Sequence, residues 1–179
     1  MRDDGRASPR VRVLVISGAM GAGKTTALGE ASDMLSAHGI AHAAVDLDCL
    51  GVAGISDAVA QTLMAKNLAA VWQNYAKAGI TRILIAEALE SMAQRKRIAA
   101  SIPDAELIVC RLIAPLETMQ ARIRAREPGL LQQHFVARTA QLEATLDASR
   151  VEDFSVDNGG RSITDVAREI LAGARWIDT

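Results

Sequence analysis

Two kinds of segment alternate along this chain. Short apolar runs, typical of strands buried on both faces, alternate with longer segments in which apolar residues recur every three or four positions, as in helices. The predicted strands are Val11–Ser17, Ala41–Leu47, Arg82–Ala86, Glu106–Ile113 and Asp153–Val156. The predicted helices are Lys24–His38, Ser56–Ala78, Ser91–Ala100, Pro115–Arg126, Leu130–Ser149 and Ile163–Arg175. This order predicts an α/β fold with a three-layer, doubly wound parallel sheet of five strands, expected in the order 2-3-1-4-5.

The chain of 179 residues suits one domain. Residues 1–10 are polar and are predicted to form a flexible tail, and residues 11–179 a single domain. Two groups of apolar residues are expected to belong to its core. They are the pair Trp72 and Tyr75 in the second helix and the stripe Leu131, Phe135, Leu142 and Leu146 in the fifth.

Composition and charge exclude several classes of partner. With a net charge of −1, neither nucleic acid nor an anionic membrane is expected as the main partner. No apolar stretch approaches the length of a membrane span, so a cytoplasmic protein is expected. Cys49 and Cys110 are too few for a disulfide framework or a zinc site, and both are expected to be reduced and packed.

The most informative motif is the stretch from Gly18 to Thr25, which matches G-x-x-x-x-G-K-[ST] in full. It lies between a predicted strand and a predicted helix, where such a loop binds phosphate through backbone N–H groups and the helix dipole. The residues predicted to bind the nucleotide here are Gly18, Ala19, Met20, Gly21, Ala22, Gly23, Lys24, Thr25 and Thr26. Lys24 is expected to reach the β- and γ-phosphates, and the Thr25 hydroxyl to bind Mg²⁺. The motif therefore predicts binding of a nucleoside triphosphate.

Acidic residues follow the second and third predicted strands. Ligands of parallel sheets gather at the carboxyl ends of the strands, so these carboxylates are expected near the phosphates. Asp46 and Asp48 lie two positions apart, and on an extended chain both would face one site, as a proton acceptor or a support for Mg²⁺. The third strand runs into Glu87, in the manner of a Walker B element, and Glu87 is predicted to support Mg²⁺. A solvated turn and a helix cap are the alternative interpretations.

Arginines concentrate near residues 122–138, where Pro128-Gly129 interrupts the helical pattern. This segment predicts a short lid whose arginines neutralise charge during phosphoryl transfer. The four candidates are Arg122, Arg124, Arg126 and Arg138. A solvated helix face is the alternative, and His134 is expected to be structural. At the end of the last strand, Asn158 and Gly159 are predicted to lie beside the phosphate-binding loop and contact the adenine, although both are also ordinary turn residues.

These motifs resemble those of the small-molecule kinases of the P-loop superfamily, which include adenylate, shikimate, gluconate and adenylylsulfate kinases. The resemblance runs from Val11 to Arg175 and depends on the G-x-x-x-x-G-K-T loop, Asp46-Leu47-Asp48, the arginine-bearing lid and the last strand's Val-Asp-Asn ending. It implies ATP-dependent phosphotransfer to a hydroxyl of a small molecule, with ATP and Mg²⁺ as cofactors. By this similarity Asp48 accepts the hydroxyl proton, Lys24 contacts the phosphates, and Arg122 and Arg126 close over them.

The chain departs from each of these families at the acceptor-binding positions. It lacks the D-G-D-N-x-R of adenylylsulfate kinases, the D-G-x-P-R of adenylate kinases and the Gly-Gly-Gly loop of shikimate kinases. The N-K-x-D signature of GTPases is also missing, which favours ATP. Segment Cys49–Gln61 offers Ser56, Asp57 and Gln61 without a basic cluster, which favours a neutral or cationic acceptor.

The alternatives to a kinase are a nucleotide-dependent switch or accessory ATPase acting on a protein partner, and a nucleotide-binding protein with little turnover. For any of these functions, the chain is expected to be a monomer or a homodimer.

Overall fold

The computed structural model describes residues 10–50 and 56–178. Its five strands are β1 (Arg12–Ser17), β2 (Ala43–Asp46), β3 (Arg82–Ala86), β4 (Glu106–Ile113) and β5 (Phe154–Asp157). Its α-helices are α1 (Lys24–Ala37), α2 (Asp57–Lys77), α3 (Met92–Ser101), α4 (Leu116–Arg126), α5 (Gln132–Ser149) and α6 (Ile163–Gly173). The predicted β3 and β4 have the observed bounds, and the other elements differ from prediction by one or two residues at their ends. The predicted tail falls outside the described residues except for Arg10, which is exposed.

The five strands form one parallel sheet in the order β2-β3-β1-β4-β5, which confirms the prediction. Because all strands run in the same direction, their carboxyl ends meet at one edge. In the register of the sheet, Ala86 at the end of β3 pairs with Ile16 of β1 and with Asp46 of β2. This edge therefore carries the phosphate-binding loop, which follows β1, together with the acidic residues that follow β2 and β3.

Two hydrophobic layers cover the two faces of the sheet. On one face, the side chains of Leu14 and Leu84 pack with α1 and α6, and on the other Val15 and Ile85 pack with α2 and α3. All four are fully buried. Burial of such a side chain contributes about 1.5–3 kcal/mol. A sheet held on both faces gives the loops at its carboxyl edge a rigid support.

Several predictions about packing are wrong. Trp72 is buried as expected, but Tyr75 is exposed on the same helix. Leu142 and Leu146 are buried, whereas Leu131, just before α5, is 58% exposed because the sheet does not extend that far.

The two cysteines also differ from each other. Both are free, and Cys110 is buried in β4, but Cys49 is exposed in a short 3₁₀ helix that was not predicted. None of the described helices is long and apolar enough to cross a membrane.

Candidate phosphate-binding and acceptor site

The loop between β1 and α1 depends on glycine at two positions for its shape. Gly21 and Gly23 both have positive φ, at 79° and 98°, a region that disfavours other residues. Steric exclusion is a second reason why glycine is required at these two positions. A Cβ on Gly21 would collide with the backbone of Met119, and one on Gly23 would collide with the Asn158 side chain. The loop is therefore curled inward and pressed against α4 and the segment after β5.

The first turn of α1 points its backbone N–H groups towards this loop. The helix begins at Lys24 after Gly23, with no side-chain cap and no acidic residue in its first turn. Such an end attracts an anion through its N–H groups and the helix dipole. The Lys24 ammonium makes only a long hydrogen bond of 3.4 Å to the Ala19 carbonyl oxygen. Burial lowers the pKa of Lys24, and the carboxylates of Asp48, Glu87 and Asp46 oppose that shift.

The residues around Thr25 fit a magnesium ion bound together with nucleotide phosphates. The Thr25 hydroxyl donates a hydrogen bond of 2.7 Å to Asp46 Oδ2, so a hydroxyl and a carboxylate oxygen already lie side by side. Among the described residues, no three His, Cys, Asp or Glu side chains converge to enclose a metal. Magnesium bound to nucleotides suits such a sparse site, because phosphates and water supply most of its ligands.

The segment after β5 braces the phosphate-binding loop from the side. The Asn158 side-chain N–H donates to the Ala22 carbonyl oxygen at 2.7 Å, and Asn158 is 4% exposed. The Arg122 guanidinium donates to the carbonyl oxygens of Gly21 at 3.2 Å and Asn158 at 2.9 Å. The structure thus places Asn158 beside the loop, as predicted. It also places Arg122 on the loop backbone, where its role in this structure is to hold the loop in shape.

The other lid candidates point in different directions. A pocket at the start of α1, which we call the phosphate pocket, is lined by Met20, Gly21, Gly23, Lys24, Thr25, Thr26, Asp48 and Arg126. The Arg126 side chain is 63% exposed and pairs with the neighbouring Glu127 at 2.8 Å. Arg138 lies farther away, where its guanidinium contacts the Glu90 carboxylate at 3.3 Å. Arg124 and His134 are exposed. Of the four arginines considered, Arg126 is the one that lines the phosphate pocket with its side chain.

Asp48 lies where the phosphate pocket meets a second, larger cleft. The sequence argument placed Asp48 on an extended chain, and that premise is wrong, because β2 ends at Asp46 and residues Leu47–Leu50 form the 3₁₀ helix. The Asp46 carboxylate accepts the Asp48 backbone N–H at 3.1 Å and so fixes this turn. Asp48 is exposed and lines both the pocket around Lys24 and the larger cleft.

The larger cleft has a volume of about 810 Å³ and opens beside the phosphate pocket. Its size is that of a site for a small molecule. It is lined by Met20, Leu47, Asp48, Ala60, Gln61, Met64, Glu87, Glu90, Gln94, Phe135 and Arg138. We call it the acceptor cleft. Phe135 belongs to it, so the prediction that Phe135 is a core residue is wrong.

Glu87 faces the acceptor cleft from the end of β3. Its backbone N–H donates to the Ile16 carbonyl oxygen, which fixes it next to β1. Burial, reinforced by the nearby Asp48 carboxylate, raises the pKa of Glu87 to about 7. The Thr25 hydroxyl bonds Asp46, and Glu87 makes no hydrogen bond to Thr25. Of the two predicted magnesium-supporting carboxylates, Asp46 is the one beside Thr25.

Several residues of the acceptor cleft escaped the sequence analysis. Glu90 and Met64 had no distinguishing motif around them, and Gln94 was recognisable only as part of a helix cap. The Gln94 side-chain oxygen accepts the backbone N–H groups of Glu90 and Ser91 and caps α3. That capping box was readable as S-x-x-Q, but its position at the cleft depends on how α3 packs against α2. Gln61, in contrast, was expected to shape the acceptor pocket, and it lines the cleft.

No protein-family model and no curated protein matches this chain. Solved structures with similar folds do match it. A sugar kinase from a Janibacter species is 18% identical, with a TM-score of 0.65 over 90% of this chain and 93% of its own. The shikimate kinase of Acinetobacter baumannii, solved with shikimate, is 19% identical, with a TM-score of 0.61 over 93% and 94%. The APS kinase of Mycobacterium tuberculosis, solved with AMPPNP and APS, is 20% identical, with a TM-score of 0.62 over 94% and 99%.

Strand order and these similarities agree on one architecture. The five-stranded parallel sheet in the order 2-3-1-4-5, with the glycine-rich loop after its first strand, is shared with kinases that act on small molecules. Identities of 20% or less limit the comparison to the fold. The chain has the fold of the P-loop small-molecule kinases.

Proposed function

We propose that this protein transfers the γ-phosphate of ATP to a hydroxyl group of a small molecule. The observation that carries the proposal is the position of Asp48. Its side chain lines the phosphate pocket with Lys24, Thr25 and Arg126, and it also lines the acceptor cleft. A hydroxyl in the acceptor cleft would therefore meet the terminal phosphate next to a carboxylate.

The phosphate-binding loop would hold ATP through its backbone N–H groups, with Lys24 at the β- and γ-phosphates. Asn158 and Gly159 would flank the nucleotide from the segment after β5, where Asn158 already contacts the loop. The Thr25 hydroxyl would bind Mg²⁺ and Asp46 would support the ion from behind Thr25; when bound, the ion neutralises charge on the phosphates. Arg126 would offset the charge that spreads over the transferring group.

Asp48 would accept the proton of the acceptor hydroxyl. As that proton moves to the carboxylate, the hydroxyl oxygen forms a bond to the γ-phosphorus and the bond from phosphorus to the β-phosphate oxygen breaks. ADP leaves with that electron pair, and the acceptor carries the phosphoryl group. Positioned proton acceptors of this kind contribute about 10²–10⁴-fold to rate.

Acceptor-stimulated release of ADP tests the proposal. A panel of sugars, polyols, amino alcohols and hydroxylated antibiotics is screened with Mg·ATP, and product is identified by mass spectrometry. We expect at least one acceptor to raise ADP release well above background hydrolysis. Asp48→Asn should then lower turnover by about 10²–10⁴-fold while ATP affinity changes little.

The matched control is Asp33→Asn, at an exposed position on α1 with no hydrogen bond to other described residues. It should leave turnover unchanged. A protein that binds Mg·ATP but whose ADP release responds to no acceptor would overturn the kinase proposal and favour a switch or an accessory ATPase. Normal turnover in Asp48→Asn would remove Asp48 from the mechanism.

A further inference from the structure

The acceptor cleft carries more negative than positive charge. Asp48, Glu87 and Glu90 line it, and among the described residues Arg138 is the one basic side chain that does so. Arg138 already contacts both oxygens of the Glu90 carboxylate, at 3.3 and 3.4 Å. Its charge is therefore offset within the protein. A carboxylate or phosphate on the acceptor would have to displace Glu90 to gain this arginine.

A smaller pocket next to the acceptor cleft, with which it shares Glu87 and Gln94, contains one more cation, which is also hydrogen-bonded. Arg97 of α3 donates to the Gln61 side-chain oxygen at 2.5 Å. The same side chain lines a groove on the outer side of α2 and α3, so Arg97 is shared between the pocket and the surface. Among the described residues, each arginine that an anionic acceptor could reach in this region already has a hydrogen-bonding partner within the protein.

Unlike these two arginines, the Glu87 carboxylate has an oxygen that is not hydrogen-bonded within the described part of the protein. Its Oε2 atom is shielded from solvent and has no hydrogen-bond partner among the described residues. No described basic side chain forms an ion pair with it. Lys24 is the nearby cation, and it would be drawn to the phosphates when ATP binds. A buried acceptor atom without a donor is costly, so a ligand that supplies an N–H group here gains affinity.

Apolar side chains surround the space next to Glu87. The smaller pocket that contains Arg97, which we call the inner pocket, shares Glu87 with the acceptor cleft. Its apolar lining consists of Leu47, Met64, Leu68, Leu89 and Ile98. The inner pocket has a volume of only about 20 Å³, so it admits no more than a methyl-sized group, and its apolar side chains keep water from the carboxylate beside it. A ligand that fits the part of the cleft around Glu87 therefore combines an apolar group with a hydrogen-bond donor.

We propose that the acceptor is an amino alcohol with a compact apolar substituent, whose ammonium group is recognised by Glu87. This inference rests on the proposed function, because the acceptor hydroxyl is placed at Asp48. An ammonium satisfies the Glu87 oxygen and offsets the Asp48 charge at the same time, which a neutral hydroxyl cannot do. The Glu90–Arg138 pair acts against acceptors that carry a carboxylate.

Binding of three compounds on one carbon skeleton tests this inference. The probes are 2-amino-1-phenylethanol, 1-phenyl-1,2-ethanediol and mandelate, which present an ammonium, a hydroxyl and a carboxylate at the same position. Affinities are measured calorimetrically with Mg·AMPPNP bound, so that binding is read without turnover. A methyl skeleton is tested in the same way with 1-amino-2-propanol, 1,2-propanediol and lactate, because its apolar group is small enough for the inner pocket. We expect the ammonium compound to bind at least tenfold more tightly than the diol, and mandelate to bind most weakly.

Substitutions of the two glutamates link this preference to the structure. Glu87→Gln should weaken binding of the amino alcohol by tenfold or more and that of the diol by less than twofold. Glu117→Gln, on the exposed first turn of α4, is the matched control and should change neither. Glu90→Gln releases Arg138 and should increase mandelate affinity, which provides a second test if Glu87→Gln does not fold.

The outcomes separate this inference from the proposed function. The amino-alcohol inference would be overturned if the diol or the carboxylate compound bound more tightly than the ammonium compound on every skeleton. It would also be overturned if Glu87→Gln lowered the affinity for all probes equally. If a neutral or anionic compound nonetheless stimulates ADP release, the kinase proposal stands without it. If no compound stimulates ADP release, the kinase proposal itself fails.

Discussion

The Thr25 hydroxyl donates a hydrogen bond of 2.7 Å to the Asp46 carboxylate and so joins the first turn of α1 to the end of β2. The other Asp46 oxygen accepts the backbone N–H of Asp48. One carboxylate therefore orients both the hydroxyl proposed to bind magnesium and the turn that carries the proposed base. This relationship makes Asp46 a positioning residue for the whole site.

Asp46→Asn is expected to raise the magnesium concentration required for half-maximal activity by about 10–100-fold, as removal of an outer-shell metal partner does. Turnover should also fall, because the turn holding Asp48 loses an acceptor. The measurement is a magnesium titration of ADP release, with Asp33→Asn as the control. An unchanged magnesium dependence would show that Asp46 does not support the metal.

Asn158→Ala is expected to lower the free energy of unfolding by about 1–3 kcal/mol, because it leaves the buried Ala22 carbonyl without its closest donor. Nucleotide affinity should fall as well, since the loop loses its brace. Asn67→Ala is the matched control, because Asn67 also donates to a backbone carbonyl but from an exposed position. Chemical denaturation measures the free energy of unfolding of both variants. Equal losses of unfolding free energy in the two variants would contradict the proposed role of Asn158 in supporting the loop.

Arg126→Ala is expected to lower kcat by about 100-fold while the affinity for ATP changes by only a few-fold. The reason is that an arginine acting on the transferring group contributes mainly in the transition state. Steady-state kinetics and ATP binding are measured in parallel. Arg124→Ala provides the control, because Arg124 is exposed on the same helix and lies outside the phosphate pocket. A larger loss in ATP affinity than in kcat would assign Arg126 to ground-state binding.

Glu87 should make the stability of the nucleotide-free protein depend on pH. Its pKa is raised from 4.5 to about 7, so between these values the folded state binds more protons than the unfolded state. The free energy of unfolding should therefore fall as pH rises through this window and level off above it. At about 1.4 kcal/mol per pKa unit, this rise from 4.5 to about 7 sets an upper bound of about 3.5 kcal/mol on the effect.

Glu87→Gln should flatten this pH dependence and make the protein more stable than the wild type above pH 7. Unfolding is measured from pH 4.5 to pH 8.5 with chelator present, so that metal binding does not contribute. Glu117→Gln should keep the wild-type slope. Parallel curves for wild type and Glu87→Gln would contradict a raised pKa.

Local sequence patterns were sufficient to predict the strands and α-helices of this fold, whereas the order of its strands, although expected, does not follow from local patterns. Apolar runs such as Arg82–Ala86 and Glu106–Ile113 match the observed strands, because a strand buried on both faces needs apolar residues at nearly every position. The phosphate-binding loop was equally readable. Its chemistry depends on backbone N–H groups and on glycines that lie within six residues of one another, and Gly21 and Gly23 have the positive φ values that glycine adopts readily.

Tertiary structure alone decided which side chains meet across the cleft. Glu90 and Arg138 are 48 residues apart, Asn158 and Ala22 are 136 apart, and no local pattern encodes either contact. Asp48 also shows this limit, because the chain leaves the strand at Asp46 and turns into a 3₁₀ helix that hydrophobic periodicity does not reveal. The sequence by itself determined the loop that is proposed to hold the phosphates, since the shape of that loop depends on neighbouring residues. The charge of the acceptor cleft depends on residues of the 3₁₀ helix, of the segment between β3 and α3 and of α5, which only the tertiary structure brings together.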